Sequence, residues 1–129
     1  MTASLTKILH VEDEPDIQEV AKLALEAVGG FTVETCSSGQ EALEKASIFM
    51  PDLILLDVMM PGMDGPETMR ALRELPGFDT TPVVFMTAKV MGAEVQRFKE
   101  MGALDVISKP FDPMTLTDDI KRIWDARNG

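Results

Sequence analysis

The chain has 129 residues, of which 45% are hydrophobic and 26% charged, which suits one soluble domain with a core of its own. A formal net charge of −10 argues against direct binding to a nucleic-acid backbone, and the apolar stretches are too short to span a membrane. Cys36 is the only cysteine, which excludes an intramolecular disulfide and disfavours a thiolate metal site. No secretory leader precedes the first apolar run, so a reducing, cytoplasmic setting is expected.

Apolar runs alternate with helical patterns along the chain. Residues 7–11 read as a first strand, Lys7-Ile8-Leu9-His10-Val11, followed by the acids Glu12 and Asp13. Glu14-Pro15-Asp16 then opens a helix, with Pro in the first turn and acids favourable to the helix dipole. Ile17, Val20, Ala21, Ala24 and Val28 repeat at three- and four-residue steps and predict one buried stripe, closed by Gly29-Gly30. Residues 31–35 predict strand two. Ser38 is placed to cap a helix running to about Met50, with Ala42, Leu43, Ala46 and Ile48 toward its inner side.

Strand three, residues 53–57, is the most informative segment. Leu53-Ile54-Leu55-Leu56 shows no polar alternation, the mark of a strand buried on both faces of a parallel sheet, and it ends in Asp57. The turn cluster Pro61-Gly62-Met63-Asp64-Gly65 leads into a third helix over about 66–75. Strand four, 82–87, ends in Thr87. A fourth helix over about 90–101 carries Met91, Val95, Phe98 and Met101 on one face, and Gly102 stops it. Strand five, 105–108, runs into Lys109, and a fifth helix after Pro113 turns Leu116, Ile120, Ile123 and Trp124 inward. Five strands alternating with five helices predict an α/β fold, a doubly wound parallel sheet with helices on both faces, spanning 1–129 as one domain. The chain ends just after the fifth helix, so no separate output domain is expected.

The strand ends carry the chemistry. Glu12 and Asp13, Asp57, Thr87 and Lys109 all fall at the C-terminal edge of the sheet, where open α/β sheets place their functional groups. Carboxylates gathered in one cleft repel one another, and a hard divalent cation removes that cost. Mg²⁺ suits a few carboxylates, a backbone carbonyl and water, so Asp13, Asp57 and the carbonyl of Met59 are candidate ligands, with Glu12 acting through water. A carboxylate nucleophile beside a cation, a lysine and a hydroxyl is equipped for phosphoryl transfer. Asp57 would become an acyl phosphate, while Lys109 and Thr87 meet the phosphoryl oxygens. The sequence has neither a Walker A motif nor GxGxxG, so the phosphoryl group is expected to arrive on another molecule. Singly, Thr87 and Lys109 would be an ordinary strand threonine and a solvated lysine. His10 reads as a packing residue and Cys36 as a small buried thiol; for Met59, Met60 and Met63 in the loop, exposure and contact with a partner is the less favoured reading beside simple filling of space.

In order and spacing, Ile8 to Pro15, Asp52 to Gly65, Pro82 to Ala88, Gly102-Ala103 and Lys109-Pro110-Phe111 resemble a response-regulator receiver domain of two-component signalling, of the single-domain chemotaxis type. The resemblance covers essentially the whole chain. It implies a (βα)5 flavodoxin-like fold with strand order 2-1-3-4-5 and a cis peptide bond at Lys109-Pro110. It also implies that Asp57 is the phosphoacceptor, served by a histidine kinase or a histidine phosphotransfer protein, with a downstream protein as target. Such a domain is a switch that catalyses only its own phosphorylation and dephosphorylation.

The chain departs from the family's pattern at Val106, where receivers usually carry an aromatic residue. A β-branched side chain has little rotameric range, so the switch is expected to run instead through the loop Ala88-Lys89-Val90-Met91. Met59 and Lys89, two residues beyond Asp57 and Thr87, are expected to slow the attack of water on the phosphoryl group. Two other classes compete with this reading. One is a degenerate receiver acting as a phosphorylation-independent binding module, which only Val106 favours. The other is a phosphatase with an aspartyl nucleophile, disfavoured because Met59 stands where a second acid would be wanted.

Overall fold

A computed structural model describes residues 4–88 and 91–127. Its elements run β1 (Lys7–Val11), α1 (Pro15–Leu23), a π-helical turn (Ala24–Val28), β2 (Thr32–Cys36), α2 (Gly39–Phe49), β3 (Leu53–Asp57), α3 (Gly65–Arg73), β4 (Val83–Thr87), α4 (Gly92–Glu100), β5 (Asp105–Ser108) and α5 (Leu116–Ala126). The strands form one parallel sheet in the order β2-β1-β3-β4-β5.

Alternation along the strands divides the core in two. Ile8, Leu53, Leu55, Val84, Met86 and Ile107 pack toward α1 and α5, against Ala21, Leu25, Leu116, Ile120 and Trp124. Leu9, Val11, Ile54, Leu56 and Phe85 face the other way, against Ala42, Ala46, Met69, Leu72 and Phe98 of α2, α3 and α4. Every residue of β3 and β4 is buried, because these strands lie inside the sheet with helices on both faces. The Phe85 and Phe98 rings meet edge to face at 5.0 Å and pin α4 to the sheet.

Local signals place the helix ends. Ser38 caps α2 by accepting the Glu41 amide at 3.1 Å, as predicted. Asp64 and Glu67 form a reciprocal capping box at the start of α3. Gly102, with φ +116°, closes the turn after α4 in a conformation that disfavours other residues.

Several predicted faces are corrected. In the first helix Ala21, Ala24 and Leu25 are buried, but Val20 is 42% and Val28 58% exposed. The π-helical turn has more residues per turn than an α-helix and carries Val28 past the core-facing line. The carbonyl of Ala24, in that turn, accepts a hydrogen bond from the buried Thr117 hydroxyl of α5 at 3.3 Å. Ile48 is 84% exposed on the outward side of α2, whereas Phe49 beside it packs against the core. Met91 and Met101, at the two ends of α4, are exposed, and Phe98 alone of the predicted face is buried. Strand two begins at Thr32 rather than Phe31, whose ring fills the core below the strand.

Candidate functional site

Asp57 ends β3 with 2% of its surface exposed, between β1 and β4. The Val58 amide donates to the Met86 carbonyl at 3.0 Å, which extends the β3–β4 pairing one residue past the aspartate. The chain then has to turn sharply. The Gly65 amide donates to the Val58 carbonyl at 2.9 Å, closing the loop that follows Asp57. A Cβ at Gly65 would lie 2.6 Å from the Asp57 carbonyl oxygen and 2.8 Å from Val58 Cα, so the turn needs glycine for its close approach. Within the loop, the Met59 amide donates to Asp57 Oδ1 at 3.3 Å.

Glu12 and Asp13 arrive from the neighbouring strand. Glu12 is fully buried and Asp13 half-buried, and one carboxylate oxygen from each of Glu12, Asp13 and Asp57 lies within 4.8 Å of the others. The structure thus brings together the three acids singled out in the sequence. The other Asp57 oxygen, Oδ2, accepts no hydrogen bond among the described residues. An all-oxygen donor set with a buried, unsatisfied carboxylate oxygen fits a hard divalent ion such as Mg²⁺.

Lys109 reaches this cluster from the end of β5. Its Nζ lies 2.9 Å from Glu12 Oε1 and 3.2 Å from Asp57 Oδ2, the latter an ionic contact without hydrogen-bond geometry. Burial pushes the Glu12 carboxyl up to about 7, against the lowering effect of hydrogen bonds from Lys109 and from the Glu14 amide. Burial alone would lower the Lys109 ammonium, but its hydrogen bond to Glu12 and the charge of Asp57 outweigh that and hold it above its ordinary value. The Lys109 amide donates to the carbonyl of Thr87 at 2.9 Å, so the lysine and the threonine are tied through the backbone. Thr87 is buried at the end of β4, and the Lys109-Pro110 peptide bond is cis.

His10 lies in β1 two residues before Glu12 and is fully buried, with neither ring nitrogen hydrogen-bonded among the described residues. Burial first, and the Lys109 charge second, lower its pKa to about 4, so it is a neutral packing residue at neutral pH. Cys36 is buried too, as expected. Of the loop methionines, Met59 is 75% exposed, whereas Met60 is buried in the α2–α4 side of the core. Val106 is half-buried against the same core. Of the residues expected to carry the switch or to hinder water, Lys89 and Val90 lie outside the described residues.

One site residue was not singled out in the sequence. Gln18 of α1 donates from Nε2 to the carbonyl of Glu12 at 2.5 Å and to the Ser37 hydroxyl at 3.2 Å. A glutamine one turn into an amphipathic helix has no signature in sequence, because its partners are a backbone oxygen and a serine from another loop.

Among the described residues, no helix is long and apolar enough to cross a membrane. Residues 8–121 match the model of the response regulator receiver domain. The transcriptional regulatory protein CseB of Streptomyces coelicolor is 38% identical over 121 residues, 94% of this chain and 50% of that protein. The alkaline phosphatase synthesis transcriptional regulatory protein PhoP of Bacillus subtilis is 40% identical over 117 residues, 91% of this chain and 48% of that protein. The chain therefore spans about half the length of the curated relatives it matches. The chemotaxis response regulator CheY4 of Vibrio cholerae superimposes with a TM-score of 0.85 at 34% identity, over 93% of this chain and 99% of that one. With the sheet order, the three acids and the lysine in place, these likenesses put the chain in the response regulator receiver domain family of two-component signalling.

Proposed function

We propose that residues 1–129 act as one receiver domain in which Asp57 accepts a phosphoryl group from a phosphohistidine on a histidine kinase or a histidine phosphotransfer protein. Phosphorylation would then alter the contacts the domain makes with a downstream protein, in the cytoplasm. The observation that carries this reading is the buried Asp57 carboxylate, flanked by two further acids and 3.2 Å from the Lys109 ammonium.

Asp13, Asp57 and the Met59 carbonyl would hold Mg²⁺, with Glu12 beside them. When bound, the ion would offset the negative charge of the carboxylates and of the incoming phosphoryl oxygens. An Asp57 carboxylate oxygen attacks phosphorus, the P–N bond of the donor breaks, and its electron pair returns to the donor imidazole. Lys109 stays charged throughout and meets a phosphoryl oxygen, which requires it to loosen its hold on Glu12. The Thr87 hydroxyl donates to a second phosphoryl oxygen. The resulting acyl phosphate is lost to water, and the bulk of Met59 beside the site favours slow loss.

The test is incubation with acetyl phosphate and Mg²⁺, read by intact mass on the wild type and on Asp57→Asn. One added phosphoryl group is expected in the wild type, absent with EDTA and absent in the variant. A wild type that binds Mg²⁺ yet gains no mass would point to a phosphorylation-independent binding module.

A further inference from the structure

The acids Glu12 and Asp13 sit on a loop, and three carboxylates in one cleft push one another apart. Lys109 offsets part of that push from the β5 side, and the backbone of the acid loop is held by contacts of its own. The Glu12 amide donates to the Cys36 carbonyl at 2.9 Å, which ties the peptide before Glu12 to the end of β2. The peptide after Glu12, which leads into Asp13, is held from the other side by Gln18 Nε2 at 2.5 Å from the Glu12 carbonyl oxygen. That oxygen can only accept, so the amide group of Gln18 has its nitrogen turned toward it.

The same nitrogen also donates to Ser37, the residue after Cys36. Ser37 is fixed in turn, its amide donating to Glu41 Oε1 at 2.5 Å. Gln18 itself is set by the first turn of α1, its amide donating to the Glu14 carbonyl at 3.0 Å. One half-buried side chain therefore braces the acid loop against both α1 and the β2–α2 loop.

We propose that Gln18 is a positioning residue for the metal site: it fixes the Glu12–Asp13 peptide so that the two acids face the ion beside Asp57 before the ion arrives. A loop ordered in advance leaves less conformational freedom to lose on binding, which tightens the ion without adding a ligand. The role assigned to the ion rests on the phosphoacceptor reading above.

The test is the Mg²⁺ dissociation constant by titration calorimetry, measured without any phosphodonor, on wild type, Gln18→Met, Gln18→Asn and Ser37→Ala. Met keeps the length and removes the donor; Asn keeps the amide but is one methylene too short. Both are expected to weaken Mg²⁺ roughly two- to tenfold, the ratio one ordinary hydrogen bond corresponds to. Ser37→Ala, which leaves the bond to Glu12 in place, is expected to weaken it less. At saturating Mg²⁺ the maximal rate of labelling by acetyl phosphate should match wild type, which separates a positioning effect from general damage. Thermal melts in EDTA identify any variant that fails to fold, and the other Gln18 variant then decides. Wild-type Mg²⁺ affinity in a folded Gln18 variant overturns the proposal, as does an equal loss of maximal rate at saturating metal. A wild type that binds Mg²⁺ but takes up no phosphoryl group overturns the phosphoacceptor reading alone, and the comparison of affinities still decides the role of Gln18.

Discussion

Lys109 Nζ lies closer to Glu12, at 2.9 Å, than to Asp57, at 3.2 Å. The lysine therefore belongs as much to the fully buried glutamate as to the aspartate. Replacing it removes the only cation within ion-pair distance of Glu12 among the described residues. Lys109→Met is expected to destabilise the protein in EDTA by about 1–3 kcal/mol, the cost of leaving a buried polar partner unsatisfied. Added Mg²⁺ should recover part of the loss. Urea unfolding with and without metal measures both; equal stability of variant and wild type in EDTA would count against the contact.

His10 and Glu12 should give opposite slopes of stability with pH. Glu12, raised from its ordinary 4.5 to about 7, holds its proton more tightly folded than unfolded, so its contribution falls as pH rises through that window. His10, lowered from 6.5 to about 4, is protonated more readily unfolded, so its contribution rises with pH between those values. Melts in EDTA across this range should show a more positive slope than wild type in Glu12→Gln and a more negative one in His10→Leu. Unchanged slopes in both variants would rule out the pairing.

Gly65→Ala forces a Cβ against the Asp57 carbonyl and Val58 Cα, backbone that cannot yield as a side chain can. A loss of about 1–3 kcal/mol is expected, with slower labelling at saturating Mg²⁺ because the nucleophile itself moves. Gly92→Ala is the contrast. Among the described residues nothing lies within 4 Å of its Cβ position at the start of α4, and a gain of about 0.5 kcal/mol is expected there. A Gly65→Ala protein with wild-type stability and rate would show that the loop has slack.

Arg73 holds the far end of the sheet together. Its guanidinium donates to the carbonyls of Phe78 at 3.0 Å, Thr81 at 2.5 Å and Gly102 at 3.3 Å, joining the α3–β4 and α4–β5 loops. Arg73→Met is expected to cost about 1.5–3 kcal/mol, as for hydrogen bonds from a charged group, and to leave Mg²⁺ affinity unchanged. Chemical denaturation alongside calorimetry separates the two; weakened Mg²⁺ binding would reveal a coupling between the sheet ends.

Cys36 is fully buried and its thiol is pushed up to about 12, chiefly by burial. It is expected to resist a thiol reagent at neutral pH until the protein unfolds. Rapid labelling of the native protein would show that β2 opens.

The sheet and its functional edge were legible because both are written locally. The apolar runs 53–57 and 105–108 coincide with β3 and β5, and the residue at or just past each strand end is the one that reaches the site. Helix faces were less legible. Val20, Ile48 and Met91 fit a helical period, yet each falls at the margin or end of its helix, where apolar side chains commonly stay in water. The role of Gln18 is not written locally: it depends on where the Glu12 carbonyl and Ser37 come to lie, and no periodicity records that.

The π-helical turn bears on how the chain tolerates a change of length. Such a turn spends one residue more than an α-helical turn over the same backbone bond. Deleting Ala27, exposed in the segment Ala24–Val28, would let the helix close into α geometry while β2 keeps its register on β1. The metal site, set at the opposite end of α1, should bind Mg²⁺ as before, so the segment can absorb a change of one residue without reaching the acids.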